Sequence, residues 1–321
     1  VAHDKTLDDF KTGINLVEFA ASYGFALDKR ETSRNSAVMR HASGDKIIVA
    51  RAAHGHWVYF SVRDYADNGT IIDFIQHRKP GATLGHVRRE LAAWSGTLNV
   101  PTFDLPDLKP VSRDRAGVLR NWGRMSEVGS HPYLESRGLS PHLLTSNRFA
   151  GTLRIDARRN AVFPHRDDDG VCGYEIKNRG FTGFATGGAK ALWLSNRMPD
   201  EPVLVVAESA IDALSHAALK PNHSAFYAST AGGWSDTTRA TLRSVVASLP
   251  PTGRVLMAFD NDAQGREYVE AARTLLVSLG RELVPDVPPV EGTDWNDALL
   301  HLLRTSSEIP KDGHREREMG S

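Results

Sequence analysis

The chain has 321 residues, 40% of them hydrophobic, and its 39 Lys+Arg are matched by 39 Asp+Glu. That length supports two or three domains around at least one substantial core, and no apolar run approaches the ~20 residues of a membrane span, so we expect a soluble protein with no membrane role. A lone cysteine, Cys172, excludes internal disulfides and a cysteine-rich zinc site, and without the apolar stretch of a secretory leader at residues 1–5 the expected address is the cytoplasm.

In chain order, residues 15–21 begin a short helix that ends near Gly24. Residues 47–51 and 57–62 read as a hairpin around Ala53-His54-Gly55-His56, residues 69–77 open a second helix, and residues 84–94 supply a third. His41, His54, His56 and His77 are candidate metal ligands, but alternation along a hairpin points His54 and His56 to one face without any ion, so no zinc is expected. Arg34, Arg40, Lys46, Arg51 and Arg63 interleave with Trp57, Tyr59 and Phe60. This pattern suits phosphate contacts with base stacking, with Arg51 and Trp57 as the main candidates, and it equally suits half-buried strands. Residues 1–100 therefore form a small α+β module, and Pro101, Pro106 and Pro110 mark 101–117 as a linker.

Residues 118–200 form the next subdomain. Arg120-Asn121-Trp122 through Ser140 read as a helix pair, followed by short strands at 149–151, 161–166 and 171–177. Cys172, between Val171 and Gly173, reads as a small core residue. The basic candidates are Arg166, Lys177, Arg179 and Lys190. Lys190 closes a Gly-rich stretch that is not a P-loop, because the lysine does not directly follow the required glycine and no Ser/Thr comes next. A flexible loop presenting one lysine to template or nucleotide is expected instead, with solvated surface charge as the alternative for all four residues. The formal charge runs +1 over 1–104, +5 over 105–200 and −6 over 201–321, which places polyanion binding in the middle segment and metal binding in the last.

Two apolar runs in 201–300 end on acids: residues 203–207 lead into Glu208, and 254–259 into Asp260-Asn261-Asp262. Each has the length of a buried parallel strand followed by a helical pattern, which puts the acids at the carboxyl edge of one sheet, where open α/β sheets build their sites. Three carboxylates gathered there repel one another unless a cation lies among them, and oxygen-only ligands favour magnesium or manganese. Asp260 and Asp262 are the expected ligands; Glu208 is a third ligand or a general acid/base. Asp212, one helical turn after Glu208, faces roughly the same way and reads as an exposed helix acid, with a place behind the metal ligands as the alternative. Gln264-Gly265-Arg266 opens a helix whose N–H groups, with Arg266, suit a phosphate, and Gly232-Gly233 bring backbone close to a ligand or make a tight turn. Asp294 and Asp297 either contact a second metal ion or, with Thr293, cap the final helix. Residues 301–321 are a helix end and a charged tail.

Glutamate after a first strand, a Gly-containing turn after a second (Tyr227-Ala228-Ser229-Thr230-Ala231-Gly232-Gly233), and Asp-x-Asp after a third resemble the Toprim domain of bacterial replicative primases, topoisomerases and several nucleases. Upstream, Tyr133-Leu134-Glu135-Ser136-Arg137-Gly138-Leu139, the Phe163-Pro164 strand and the Gly173 strand resemble the subdomain that precedes Toprim in the primase catalytic core. Residues 1–100 resemble the primase zinc ribbon without its cysteines, a combination similar to Toprim proteins of plasmids and other mobile elements. The resemblance implies a mixed α/β fold: a Toprim domain with a mainly parallel sheet, preceded by a primase-core-like subdomain and the small α+β module. It also implies metal-dependent nucleotidyl transfer, most simply primer synthesis on single-stranded DNA from nucleoside triphosphates, with a helicase or other replication or mobilisation protein on another chain. A Toprim nuclease is the alternative, since the same carboxylates cleave when water is the nucleophile; a non-catalytic DNA-binding regulator of a mobile element is a third reading.

Overall fold

The computed structural model describes residues 7–52, 55–64, 67–95, 108 and 112–308, so His54, the prolines at 101, 106 and 110, and the charged tail lie outside the described residues. The chain divides into two compact units, residues 1–114 and 115–321. No helix among the described residues is long and apolar enough to cross a membrane.

The first unit begins with helices α1 (Leu7–Gly13) and α2 (Leu16–Ser22). A five-stranded antiparallel sheet follows in sequential order: β1 (Phe25–Leu27), β2 (Ser36–His41), β3 (Lys46–Arg51), β4 (Trp57–Ser61) and β5 (Asn68–Thr70). Helices α3 (Ile71–Arg78) and α4 (Leu84–Ser95) complete it. Alternate residues such as Ala37, Met39, Ile47, Val49, Trp57 and Tyr59 join Phe19, Phe74 and Ile75 in one core. The capping box of Thr70 and Asp73 starts α3. Arg78 spans this core edge, its guanidinium over the Phe74 ring at 3.9 Å and paired with Asp67 at 2.8 Å.

The second unit carries two sheets. Helix α5 (Arg115–Gly123), β6 (Ser126–Glu127), α6 (Pro132–Ser136), α7 (Pro141–Leu144) and β7 (Arg154–Ile155) lead to the long hairpin β8 (Ala161–Asp167) and β9 (Gly170–Asn178), with β10 (Phe181–Phe184) at its edge. The expected strand at 149–151 is instead a turn: Ala150 N–H donates to Ser146 O, Thr152 N–H to Phe149 O, and Gly151 has φ +75°. The expected helix pair over 120–140 is interrupted by β6, because Pro132 and Pro141 each start a new short helix.

The third sheet is mostly parallel: β11 (Trp193–Leu194) pairs antiparallel with β13 (Ala225–Ser229), while β12 (Val203–Ala207), β14 (Arg254–Ala258) and β15 (Glu282–Pro285) complete the order β11-β13-β12-β14-β15. Helices α8 (Ala210–Leu219), α9 (Asp236–Ala247), α10 (Ala263–Leu276) and α11 (Trp295–Glu308) make the connections and the end. Strands β12 and β13 are buried at every position, which is why they read as unbroken apolar runs. Phe149, Phe163, Trp193, Tyr227 and Trp295 bring residues from before and after position 200 into one core.

Candidate active site

Strand order switches at β12: parallel β13 lies on one side of it and parallel β14 on the other. Such a switch point opens a crevice at the carboxyl ends of the strands. Ala207 is in register with Ala258 and Ser229, so Glu208, Asp260 and the turn after β13 all emerge at that edge. Gly232 N–H donates to Glu208 O at 3.1 Å and Thr230 N–H to Ala207 O at 3.2 Å, wrapping this turn around the base of Glu208. Left-handed φ values at Ala231 and Gly232 let the chain fold back there, which is the tight-turn reading of the paired glycines.

The Asp pair is fixed by helix α10. Asp262 caps it, accepting from Gly265 N–H at 2.7 Å, so that N–H is committed to the cap. Asp294 likewise accepts from Asp297 N–H at 2.6 Å in the first turn of α11, while its charge still reaches Glu208, Asp212 and Asp260. It therefore caps a helix and belongs to the acidic cluster. Asp297 is exposed and is used at that cap through its backbone.

Asp212 corrects the sequence reading. It is buried, at 6% exposure, with its carboxylate accepting from Ser209 Oγ at 2.6 Å and from Asn296 N–H at 3.3 Å. Five carboxylates thus share the edge, and three of them, Glu208, Asp212 and Asp260, are raised. Burial, then the charges of Asp212, Asp262 and Asp294, push Glu208 up to about 7 against the pull of Lys177. Burial and the four neighbouring acids push Asp260 up to about 8, and burial with Asp294 pushes Asp212 up to about 6.

Asp260 Oδ1 is buried with no hydrogen-bond partner among the described residues. An orphaned carboxylate oxygen among mutually repelling oxygen donors fits a hard divalent cation in chemistry. Among the described residues, however, no three His, Cys, Asp or Glu side chains already stand as a metal-holding group. The acids form an open, charge-rich edge with two of them engaged at helix caps.

The basic candidates separate. Lys190 Nζ donates to Ala231 O at 3.3 Å, across the same turn that wraps Glu208. Its side chain stays open to solvent yet is walled by protein on most sides, and desolvation in that concavity lowers its pKa despite the pull of Glu175. The loop carrying it is anchored, not free. Ala189 N–H donates to Cys172 O at 2.8 Å, Ala191 N–H to His165 Nδ1 at 3.0 Å, and Gly173 admits the loop because a Cβ there would stand 2.3 Å from Ala189 O. Lys177 pairs with Glu175 at 2.8 Å and faces the acidic cluster closely enough to draw Glu208 down. Arg166 falls past a bulge after His165, and its charged neighbour is Arg154, which stacks on Trp122. Arg179 and Arg266 are exposed, the latter on the first turn of α10.

In the first unit, Trp57 and Tyr59 are 9% and 2% exposed and belong to the core, so they cannot serve as stacking platforms. Arg51 lies over the Trp57 ring at 5.4 Å and donates to Gly55 O. Phe60, on the opposite face of β4, is 46% exposed. His41 bonds Ser43 at 2.7 Å and His56 pairs with Asp8 at 3.2 Å.

Residues 205–299 match the family model described as Toprim-like, and residues 132–201 match one described as Protein of unknown function (DUF3991). Among solved structures the chain is similar to the zinc-binding and RNA polymerase domains of the Aquifex aeolicus primase, with 17% identity, TM-score 0.40, and 95% of this chain and 85% of that chain covered. It is also similar to a structure of bacteriophage T7 lagging-strand DNA polymerase interacting with primase domains of two gp4 subunits, with 19% identity, TM-score 0.39, and 59% and 92% covered. The RNA polymerase domain of Mycobacterium tuberculosis primase DnaG follows at 18% identity, TM-score 0.32, and 59% and 70% covered. No curated protein matches the chain. All five carboxylates of the acidic edge lie within the segment that matches the Toprim-like family model.

Proposed function

We propose that the chain is a metal-dependent nucleotidyltransferase that makes primers on single-stranded DNA. The observation that carries this reading is the juxtaposition of the acidic edge with Lys190 and Lys177 in one unit. Phosphoryl transfer needs both: carboxylates for a cation and cations for the phosphate oxygens. Magnesium or manganese would be held by Asp260 and Asp262 with Glu208, and by Asp294 and Asp212 around them; when bound it neutralises charge on the reacting phosphate. Lys190 and Lys177 orient a triphosphate or template phosphate at the turn over Glu208. Glu208, raised by burial and then by its acidic neighbours, is also placed to accept the proton of the attacking hydroxyl. The first unit presents Phe60 with exposed Arg34 and Arg63 to the template in the manner of a cysteine-free zinc ribbon.

The test is labelled-nucleotide incorporation on single-stranded DNA beside a nicking assay, with ribo- and deoxyribonucleotides. Asp260→Ala is expected to lower incorporation by about 10³-fold or more with DNA affinity largely retained, and Lys190→Ala to raise the KM for nucleotide about tenfold. Metal-dependent nicking without incorporation would replace this reading by the nuclease.

A further inference from the structure

A cavity of about 560 Å³ lies in the second unit, between the segment that matches the family of unknown function and the Toprim-like segment. It opens where α8 ends and β13 begins, at the amino edge of the parallel sheet, whereas the carboxylates occupy the carboxyl edge. Leu143, Phe149, Met198, Ala217 and Ala218 make its apolar lining, and Tyr227 reaches it from β13. Phe149 and Tyr227 are buried, with ring centroids 5.6 Å apart, so the floor is aromatic.

Three observations define what would fit. Tyr227 is 2% exposed and lines the cavity, and its hydroxyl, bonded to no described residue, opens onto that space and is not sealed in protein. Burial pushes that phenol up to about 12, so it remains a neutral donor. Arg148, the cation at the cavity, is already engaged: Nη1 donates to Glu201 at 2.7 Å and to Asn196 O at 2.6 Å, and Nη2 donates to His223 O at 3.3 Å and to Glu201. Both terminal nitrogens are thus taken by protein oxygens. The cavity has the size of a small-molecule site, and Ser140, His142, Ser146, Asn147, Asn222 and His223 line it beside the apolar residues.

We propose that this cavity binds a small, uncharged ring compound carrying a hydrogen-bond acceptor, gripped by the apolar floor and by the Tyr227 hydroxyl. The site is distinct from the acidic edge but shares its elements. Helix α8, ten residues and about 15 Å long, runs from Ser209 beside Glu208 to Ala217 and Ala218 at the cavity. Strand β13 runs from the cavity to the turn that wraps Glu208. A ligand here would touch helix α8 and strand β13, each of which has its other end beside Glu208.

The probe is prodan, a neutral naphthalene ketone whose emission reports polarity and hydrogen bonding at its carbonyl. Titrated into the full chain, it is expected to bind saturably with blue-shifted emission. Ala218→Trp fills the cavity and should weaken binding at least about tenfold. Tyr227→Phe keeps the floor and removes the donor, so affinity should fall about fivefold, the worth of one hydrogen bond, and bound emission should shift further to the blue. Absence of saturable binding overturns the proposal. Should Ala218→Trp perturb the fold, as circular dichroism would show, Tyr227→Phe decides alone: unchanged affinity and emission in that variant overturn the assignment.

Discussion

At Gly265 the helix has no room for a side chain. A Cβ there would stand 1.9 Å from the carbonyl oxygen of Asp260 and 3.1 Å from its nitrogen, both backbone atoms that cannot swing aside. The first turn of α10 therefore presses against the residue whose carboxylate anchors the acidic edge, and Gly265 N–H at the same time caps Asp262. Gly265→Ala is expected to cost about 3 kcal/mol or more by forcing α10 away from β14, and to weaken manganese binding. Thermal unfolding and manganese titration check both; a variant with parental stability and metal affinity would show that the contact yields easily. In sequence, Gln264-Gly265-Arg266 invites a phosphate-binding reading because glycines at helix starts often serve ligands, and only the backbone contact shows that this one serves packing. The burial of Asp212 is illegible for a related reason. Spacing places it one turn after Glu208, but nothing in spacing reveals that α11 covers it and offers Asn296 N–H.

Among the elements, β12 and β14 with their acidic ends were legible because strands buried on both faces read as apolar runs of fixed length. Strands β1 and β2 were missed: β1 has three residues, and β2 pairs Val38 with Ile48 on a face whose burial depends on neighbours distant in sequence. The loop before β11 looked flexible because of its glycines, yet Gly173 and Gly188 are where two backbone segments meet, a Cβ on Gly188 falling 3.0 Å from Gly173 Cα. His165 closes that contact from β8. It is 0% exposed, accepts from Ala191 N–H, and is held down to about 3 chiefly by burial, then by the charges of Lys190 and Lys177. Its folded pKa lies below its unfolded value near 6.5, so its contribution is complete above pH 6.5 and is lost as pH falls toward 3. Across that window His165 should give stability a slope of about 1.4 kcal/mol per pH unit. Urea unfolding at pH 7, 5 and 4 should show His165→Gln, which cannot be protonated, losing less stability on acidification than the parent; equal losses would place the acid sensitivity elsewhere.

For the whole molecule, the division at residues 114 and 115 separates a unit with its own aromatic core from one that contains both the acidic edge and the lysines facing it. Removing residues 1–114 should therefore leave the remaining chain folded and able to bind manganese, since no carboxylate or lysine of the candidate site is lost. Template binding is assigned differently. The outer face of β4 exposes Phe60 and, just beyond the strand, Val62 and Arg63, while Arg34 is exposed before β2. Stacking on Phe60 depends little on salt, whereas each arginine–phosphate contact adds about 0.7 to the slope of log affinity against log salt on a single strand. The truncated chain should then bind single-stranded DNA more weakly and with a shallower slope, and Phe60→Ala in the full chain should lower affinity about tenfold while leaving the slope unchanged. If the truncated chain binds as tightly as the full chain at every salt concentration, the first unit does not hold template. The outer face of its sheet would then be left for another role.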